Sequence, residues 1–541
     1  MSYAHPPIVI INERKIAMTK YLLSRLVRGL CSILVVIAIV MVLIYSCLDK
    51  NMIFKLDSNW TKMKSNAKIS YQMQQWEKYG YLDYIPYSDW LKELLKSGEI
   101  DQSTYDRVVK FGDTARDDDP EVATYVQKFK EYYESKGYEF ERKDADKLKK
   151  KYKDGGAPLV YAYRNTPVWV RMWDYLGDLF TIDNVNYVKD DIADRGLYLE
   201  MYDPAYGGEK FSPAIMGNGT RHKYLVYFDD NFPYIHQNLL QIRLGSSYTI
   251  QKDIDVFNIM TDTQGSFATS TVTYPSGVVM ETADNLHSLT YVSGSFEKGT
   301  IIIKDCYVDD YTNVSTYKNG MSRMGYSFVI GIISVLMAYI LAIPLGTIMA
   351  LKKDKFIDKL GTFYIVFIMA VPSLAYIFLF KAVGSRIGLP STFNMETPSW
   401  LMYILPIISL ALPSVANLMK WLRRYMIDQM NSDYVKFARA GGLSEGEIFT
   451  KHVLKNAIIP IVHGIPGSLL GAMTGAIITE RVYVVPGVGN LLTTAINQYD
   501  NGVIVGMTLF YALLSVVSII LGDLLMSMLD PRISFVTKGR K

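Results

Sequence analysis

Few side chains in the apolar parts of this sequence of 541 residues could carry chemistry. His463 lies near the start of one apolar stretch, and Glu480 and Arg481 lie together at its end. A histidine there could relay protons if it had an acidic partner. We find no such partner inside an apolar stretch and prefer a packing or pore-lining contact for His463. Glu480 and Arg481 either contact a substrate at the mouth of a path or form an interfacial ion pair whose charges reach into water.

Sequence motifs for catalysis are absent. The chain has no Gly-x-x-x-x-Gly-Lys-Ser/Thr loop for nucleotide phosphates, no His-Glu-x-x-His and no cysteine–histidine zinc spacing. We therefore predict no catalytic residue, no bound cofactor and no metal in this chain. Energy for any work that the protein does must come from a partner.

A polar segment between two apolar stretches, Asn431 to Pro460, has the pattern of a helix, a bend and a second helix. Ser432 or Asp433 can cap a short helix that carries Tyr434 to Ala440. The pair Gly441-Gly442 should end this helix, because glycine readily adopts the left-handed conformation.

The second helix of this segment should begin at Ser444. Ser444 and Glu447 stand three residues apart, just before Ile448 and Phe449, which is the spacing of a capping box. Small residues at the bend would let the surface of another protein approach the backbone closely. We therefore predict a docking loop whose contacts come from Ala438, Ala440, Gly441, Gly442, Leu443, Ser444, Glu445 and Glu447.

The stretch DYVKFARAGGLSEGEIFTKHVLKNAIIP resembles the cytoplasmic coupling loop of the peptide permease subunits of ABC importers. The general importer loop carries Glu-Ala-Ala before its glycine, whereas the peptide branch typically lacks the glutamate, and this chain has Lys436-Phe437-Ala438 there. Other stretches resemble the same family in the same order: TKYLLSRLVRGL, ILAIPLGTIMALKKD, AVPSLAYIFLF, TERVYVVPGVGNLL and LLMSMLDPRI. Their order and spacing together make the resemblance specific.

This resemblance implies an α-helical polytopic membrane protein with six transmembrane helices of the type I ABC importer permease kind. It implies a coupling loop at 423–460 whose residues 431–460 sit in a cleft of a cytoplasmic ATPase. The expected partners are a second, different permease subunit in a heterodimer, two ABC ATPases that use ATP and Mg²⁺, an extracellular peptide-binding lipoprotein and the peptide substrate. The lipid bilayer surrounds the chain, and no nucleic acid is expected.

The apolar residues by themselves also predict a membrane protein, because six stretches hold the roughly twenty residues needed to cross a bilayer. The first is interpreted as a retained span and not as a cleaved signal. The six predicted spans are Gly29 to Leu48, Met324 to Leu351, Leu360 to Phe380, Trp400 to Met419, Asn456 to Thr479 and Gly502 to Gly522.

Lysines and arginines beside these spans predict their orientation. They cluster before the first span, after the second, after the fourth and at the end of the chain. All four clusters fall on one side. Both termini and the docking loop are therefore expected in the cytoplasm, residues 49–323 and the loops near Arg386 and Asp500 outside, and the protein in the cell membrane.

The predicted external segment, 49–323, divides the chain into 1–48, 49–323 and 324–541. Helical spacing prevails over residues 59–153, and alternating apolar residues predict strands over 159–319. Most of this segment lies outside the resemblance. We hypothesise that it receives the peptide-loaded binding protein, with a passive shield over the transport mouth as the alternative.

Glycines recur along the fifth span at intervals of three and four: Gly464, Gly467, Gly471 and Gly475. Such spacing lets two membrane helices bring their backbones together. We predict that this face moves against the matching helix of the partner permease. Two alternatives stay open, namely static packing within the chain and widening of the pore for substrate.

Two functions from different classes fit the sequence. The first is a permease subunit of an ATP-driven peptide importer. The second is a membrane receptor whose external domain senses a ligand. A receptor of this kind usually has a large cytoplasmic output domain, and this sequence offers none, so the importer is preferred.

Overall fold

The computed structural model describes residues 8–63, 65–112, 119–143, 159–182, 195–202, 211–218, 224–228, 235–237, 240–267, 269–273, 277–282, 284–291, 312–316, 320–395 and 399–529. Within them the chain consists of a bundle of long apolar helices and an inserted part, residues 49–322, that mixes short helices with strands.

The helices within these ranges are α1 (Ile8–Val42), α2 (Ser58–Lys62), α3 (Ser65–Lys78), α4 (Tyr87–Ser97), α5 (Gln102–Gly112), α6 (Pro120–Ser135), α7 (Val168–Gly177), α8 (Val256–Thr261), α9 (Arg323–Leu351), α10 (Phe356–Ala370), α11 (Ser373–Arg386), α12 (Ile404–Met430), α13 (Asp433–Ala440), α14 (Glu445–Glu447), α15 (Lys455–His463), α16 (Ile465–Tyr483), α17 (Val488–Asn497) and α18 (Asn501–Leu529). Two π-helical segments, Leu43–Cys47 and Ile448–Leu454, continue α1 and precede α15.

Four helices in the described ranges are long and apolar enough to cross a membrane: Lys20–Cys47, Arg323–Leu351, Trp400–Met430 and Asn501–Met528. Two helix pairs pass the same test only together, because α10 and α11 meet at 108° and Glu445–His463 and α16 meet at 40°. The structure therefore has four such spans, or six if each bent pair is one span.

The third predicted span, Leu360 to Phe380, is not the single helix that its apolar sequence suggested. The bend falls at Pro372, and the residue before it, Val371, takes extended dihedral angles. Proline removes a backbone donor and excludes the preceding residue from the helical conformation, so the chain turns there. The fifth predicted span is likewise interrupted at Gly464, with Pro466 in the first turn of α16.

Small residues let the long helices approach one another. A Cβ atom at Gly346 of α9 would lie 3.3 Å from the Met419 backbone of α12, and one at Gly29 of α1 would collide with Val516 of α18. Ala338 and Ala342 of α9 are fully buried in the same bundle. Close packing of this kind holds helices together in lipid, where the hydrophobic effect gives no drive for their association.

The inserted part contains thirteen strands within the described residues. They are β1 (Leu82–Pro86), β2 (Glu139–Lys143), β3 (Leu159–Asn165), β4 (Phe180–Ile182), β5 (Gly196–Tyr202), β6 (Phe211–Asn218), β7 (Tyr224–Phe228), β8 (Ile235–Gln237), β9 (Leu240–Ile242), β10 (Ser270–Thr273), β11 (Val279–Thr282), β12 (Asp284–Tyr291) and β13 (Thr312–Thr316). The sheets have the orders β1-β3-β2 and β5-β6-β7-β8, with the pairs β4-β9, β10-β11 and β12-β13.

The predicted helical half of this part does contain α3 to α6, but it also contains β1 and β2. Both strands pair antiparallel with β3, which lies in the predicted strand-rich half. The helices α4 and α6 bury Leu91 and Phe129 against this sheet, and Ala162 of β3 is fully buried with them. The two predicted halves therefore share one sheet and one core.

A carboxylate fixes the inserted part to the helical bundle. Asp500, between α17 and α18, is fully buried and accepts hydrogen bonds from the Ser247 hydroxyl (2.6 Å) and from the backbone amides of Tyr248 (2.9 Å), Thr249 (2.9 Å) and Ile250 (3.0 Å). Asp500 also accepts a hydrogen bond from the backbone amide of Val503 at 3.1 Å and so caps α18. Such charge-assisted bonds hold the end of the helical hairpin against the inserted part.

Candidate functional site: the docking loop and a glycine-lined cavity

The docking loop, residues 431–460, begins with α13 and then bends. Ser432 precedes the helix, but its hydroxyl donates to the Gln429 carbonyl and makes no side-chain cap. At the other end the Leu443 amide donates to the Ala438 carbonyl at 3.2 Å, and Gly442 has φ of +83°. The predicted glycine bend is confirmed, with Gly442 as its left-handed residue.

The predicted capping box is also confirmed. The Ser444 hydroxyl accepts a hydrogen bond from the backbone amide of Glu447. In return, the Glu447 carboxylate accepts one from the backbone amide of Ser444 at 3.3 Å. The regular α-helix that follows has only three residues, since the chain continues as a π-helix over Ile448–Leu454 before α15 begins.

An ion pair closes the bend from the outside. The Arg439 guanidinium donates to both carboxylate oxygens of Glu445, at 2.5 and 3.1 Å. The pair joins the last turn of α13 to the first turn after the bend, so it restrains their relative orientation. Both side chains are more than half exposed, which limits how much this pair stabilises the fold.

The inner face of the loop is anchored in the bundle. Val435, Ile448 and Val453 are buried against Leu422 and Met426 of α12. A displacement of the loop therefore displaces the end of α12, because buried side chains of this kind pack without voids.

The outer face of the loop exposes apolar surface. Phe437 is 76% exposed and Leu443 is 38% exposed, and a Cβ atom at Gly442 would meet nothing within 4 Å. Phe437 is not among the predicted contact residues of the loop. The available signal was its position two residues after the buried Val435, which places it on the opposite side of the helix.

A cavity of about 620 Å³ lies between α11, α12 and α16. Its wall combines backbone of glycines with uncharged polar side chains and apolar ones. The polar groups are Ser373, Ser409, Ser414, Asn417, Ser468 and Thr479. Such a lining can accept and donate hydrogen bonds without attracting either sign of charge.

Three of the four predicted glycines, Gly464, Gly467 and Gly471, line this cavity. Among the described residues, Cβ atoms at Gly467 and Gly471 would meet nothing within 4 Å, which argues against static packing of these two glycines against that part of the chain. Gly464 lies at the bend between α15 and α16. The surroundings of Gly475 are outside the described residues.

The predicted interfacial ion pair would need Glu480 to reach water, but its side chain is buried. Glu480 does not line the cavity either. It is fully buried and accepts hydrogen bonds from the Ser327 hydroxyl (2.6 Å) and the Asn490 amide (2.9 Å). A Cβ atom at Gly487 would collide with its carboxylate. Glu480 thus supplies the cap that α17 lacks in its own sequence and fixes α17 on α16.

His463 has an acidic neighbour just outside the predicted spans. Its Nε2 atom lies 3.7 Å from an oxygen of Asp523, near the end of α18, and the other oxygen accepts the Tyr21 hydroxyl and pairs with Arg25. Asp523 follows the predicted sixth span by one residue, so the search inside the spans missed it. This cluster joins α1, α15 and α18, and none of its side chains lines the cavity.

The chain is similar to known transport proteins along almost its whole length. Residues 342–535 match the family model described as binding-protein-dependent transport system inner membrane component. The oligopeptide transport system permease protein AmiC of Streptococcus pneumoniae is 33% identical over 530 residues, which cover 97% of this chain and 100% of AmiC. The dipeptide transport system permease protein DppB of Bacillus subtilis is 31% identical over 41% of this chain and 72% of DppB.

A solved structure of the MetNI methionine ABC transporter in inward-facing conformations is 12% identical, with a TM-score of 0.32 over 38% of this chain and 93% of that chain. The match to AmiC is sufficient: the chain belongs to the binding-protein-dependent transport system inner membrane component family, in its group of peptide permease subunits. It is a multi-pass membrane protein.

Proposed function

We propose that this protein is the transmembrane permease subunit of an ATP-driven peptide importer and forms half of the translocation pathway with a second, different permease. The similarity to AmiC over both complete lengths carries this proposal, because it includes the inserted part as well as the helices.

The glycine-lined cavity supplies a place for the peptide within this half of the pathway. Its volume of about 620 Å³ falls in the usual range for small-molecule sites. Hydroxyl and amide groups on its wall suit peptide groups, which donate and accept hydrogen bonds but carry no charge. The open space at Gly467 and Gly471 leaves room for the substrate or for the partner permease.

The docking loop supplies the coupling. Two cytoplasmic ATPases hydrolyse ATP with Mg²⁺, and one of them receives the exposed face of Phe437, Ala440, Gly442 and Leu443. Aromatic residues near the centre of a protein–protein interface frequently contribute most of its binding energy. Movement of the ATPase reaches the cavity through α12, on which the buried side of the loop is packed.

The proposed topology places both termini and the docking loop in the cytoplasm and the inserted part outside the cell membrane. Two contacts support it. Asp500 and Ser247, both in regions predicted to be external, hydrogen-bond to each other. Arg25 and Asp523, near the two ends that are predicted to be cytoplasmic, form an ion pair.

In this arrangement the inserted part receives the peptide-loaded binding lipoprotein or shields the mouth. The experiment that tests the proposed function is purification of the tagged protein from its native membrane in mild detergent. We expect a second permease, two ATPases and an external peptide-binding lipoprotein to copurify, and the reconstituted complex to take up peptide only with ATP. A chain that purifies without ATPases yet binds an external ligand would favour the receptor instead.

A further inference from the structure

A second cavity, of about 800 Å³, lies where the inserted part meets the end of the first span. It shares no lining residue with the glycine-lined cavity. Its wall includes Met41 and Tyr45 from the first span, one face of α7, and Tyr79 and Tyr248 from the inserted part. The rings of Tyr79 and Tyr248 stack on each other, with their centroids 4.0 Å apart.

Arg171 of α7 is a buried cation on this wall, with 8% of its surface exposed. Its guanidinium lies 3.6 Å from the ring centre of Tyr45 and 4.0 Å from that of Tyr81, and it donates to the Tyr79 carbonyl at 2.9 Å. Among the described residues, no carboxylate lies within ion-pair distance of it. Buried charges are normally paired, so this position favours a negatively charged group from outside the chain.

The other charges of the cavity wall are mostly satisfied within the chain. Arg164 pairs with Asp83 at 2.8 Å, and Lys78 pairs with Asp253 at 2.6 Å. Asp255 caps α8 by accepting the Phe257 amide. Arg171 therefore differs from Arg164 and Lys78, which have acidic partners, and from Arg243 on the same wall, which is exposed to solvent.

The charge on the cavity-lining face of α7 changes from positive to negative along the helix. Arg171, Asp174 and Asp178 follow at intervals of three and four residues, so they lie on one side. Both aspartates are exposed, and in the described part of the chain neither forms an ion pair. At 1.5 Å per residue, Arg171 and Asp178 are separated by about 10 Å along the axis.

The helix dipole of α7 has the same polarity as this face. The positive end of a helix is its N-terminus, which is the end nearer to Arg171, and its negative end carries Asp174 and Asp178. A ligand that fits this face has a carboxylate and a cation about 10 Å apart. In an extended peptide each residue spans at most about 3.3–3.6 Å, so a chain of about three residues bridges the distance.

We propose that this cavity binds a short peptide end to end, with the terminal carboxylate on Arg171 and the terminal ammonium at Asp174 and Asp178. The inference rests on the proposed function in peptide import and adds a peptide site on the permease itself. The tyrosine rings of the wall pack against the peptide without selecting one side chain.

The test uses the complete importer in lipid nanodiscs without its binding protein. Isothermal titration calorimetry measures its affinity for trialanine, for trialanine amide and for N-acetyl trialanine. Each modification removes one terminal charge, so each should weaken binding by about tenfold or more. Arg171→Gln should abolish the difference between the acid and the amide, and the double substitution Asp174→Asn, Asp178→Asn should abolish the difference made by acetylation.

The matched control is Arg164→Gln, since Arg164 lines the same cavity but is paired with Asp83. This variant should keep the preference for the free acid. The comparison of the three peptides on the parent protein needs no variant, so equal affinities would still refute the inference if Arg171→Gln failed to assemble.

Equal affinity of the parent for trialanine and its amide would overturn the inference. So would the absence of trialanine binding by a complex that still imports peptide with its binding protein, and in that case the proposed function would stand. If Arg171→Gln weakened attachment of the binding protein but left trialanine binding unchanged, Arg171 would contact a partner protein and the peptide assignment would be wrong. A complex that imports no peptide under any condition would instead overturn the proposed function.

Discussion

Gly442 is the residue on which the shape of the docking loop depends. Its φ of +83° lies in the left-handed region, which costs other residues about 1–2 kcal/mol. Its Cα faces open space, so the backbone itself forms part of the exposed surface. A side chain at this position changes both the bend and the surface that a partner meets.

We expect Gly442→Trp to lower peptide uptake and peptide-stimulated ATP hydrolysis at least about tenfold, because an indole blocks the close approach of the ATPase. Both rates are measured in proteoliposomes. The matched control is Gly98→Trp. Gly98 has φ of +79° and nothing within 4 Å of a Cβ atom, but it ends α4 in the inserted part. Normal uptake by Gly442→Trp, at normal protein level, would refute the coupling role of the loop.

At the level of elements, α16 is the second helix, beside α12, that connects the cavity with the docking loop. It follows α15 at the Gly464 bend and presents Gly467 and Gly471 to open space. A side chain there enters the cavity without displacing a neighbour of the same chain. The usual penalty for overpacking therefore does not apply within this subunit.

We expect Gly471→Leu to leave the stability of the isolated subunit within about 0.5 kcal/mol of the parent and to reduce peptide uptake strongly. Thermal unfolding in detergent and uptake in vesicles are the two measurements. Gly346→Leu is the contrasting control, since a Cβ atom at Gly346 already lies 3.3 Å from the Met419 backbone. That variant should lose about 1–3 kcal/mol by overpacking.

The outcome for assembly separates the two remaining interpretations of the glycine face. Loss of the second permease from purified Gly471→Leu would indicate a contact between the subunits. Retention of the second permease with loss of uptake would indicate a lining of the pore. If the variant assembled and transported like the parent, the glycine face would have neither role.

At the level of the whole molecule, the inserted part is attached to the bundle by a shared apolar core, which includes Val256 and Val503, and by the hydrogen bonds of Asp500. Two more contacts reinforce it, from Asn501 to the Tyr81 hydroxyl at 2.9 Å and from Lys55 to Tyr499 at 3.2 Å. Deleting residues 59–153 would be a poor probe of this part, because it would remove β1 and β2 from either side of β3. A substitution at the attachment point is cleaner.

Asp500→Asn should destabilise the protein by about 1–3 kcal/mol. Its amide group would face backbone N–H groups that now donate to a carboxylate oxygen. The melting temperature of the purified subunit measures the loss. Asp119→Asn is the matched control, since Asp119 caps α6 and asparagine caps a helix equally well. Equal melting temperatures for the two variants would show that Asp500 does not carry the attachment.

The sequence by itself determined the features that depend on residues close together in the chain. The capping box at Ser444 and the bend at Gly442 follow from local backbone preferences. The apolar stretches predicted the long helices, since a helix buried in lipid must satisfy its backbone hydrogen bonds internally. The order of family motifs identified the class of protein, which the similarity to AmiC confirmed.

Only the tertiary structure decided which distant residues meet. Asp500 contacts a loop about 250 positions earlier, Glu480 is buried under Ser327, and His463 lies beside Asp523. No local pattern carries this information, because packing of separate elements selects the partners. The same holds for the glycine-lined cavity and for the cation at Arg171: each is a space or a charge that exists only after elements far apart in the sequence have packed around it.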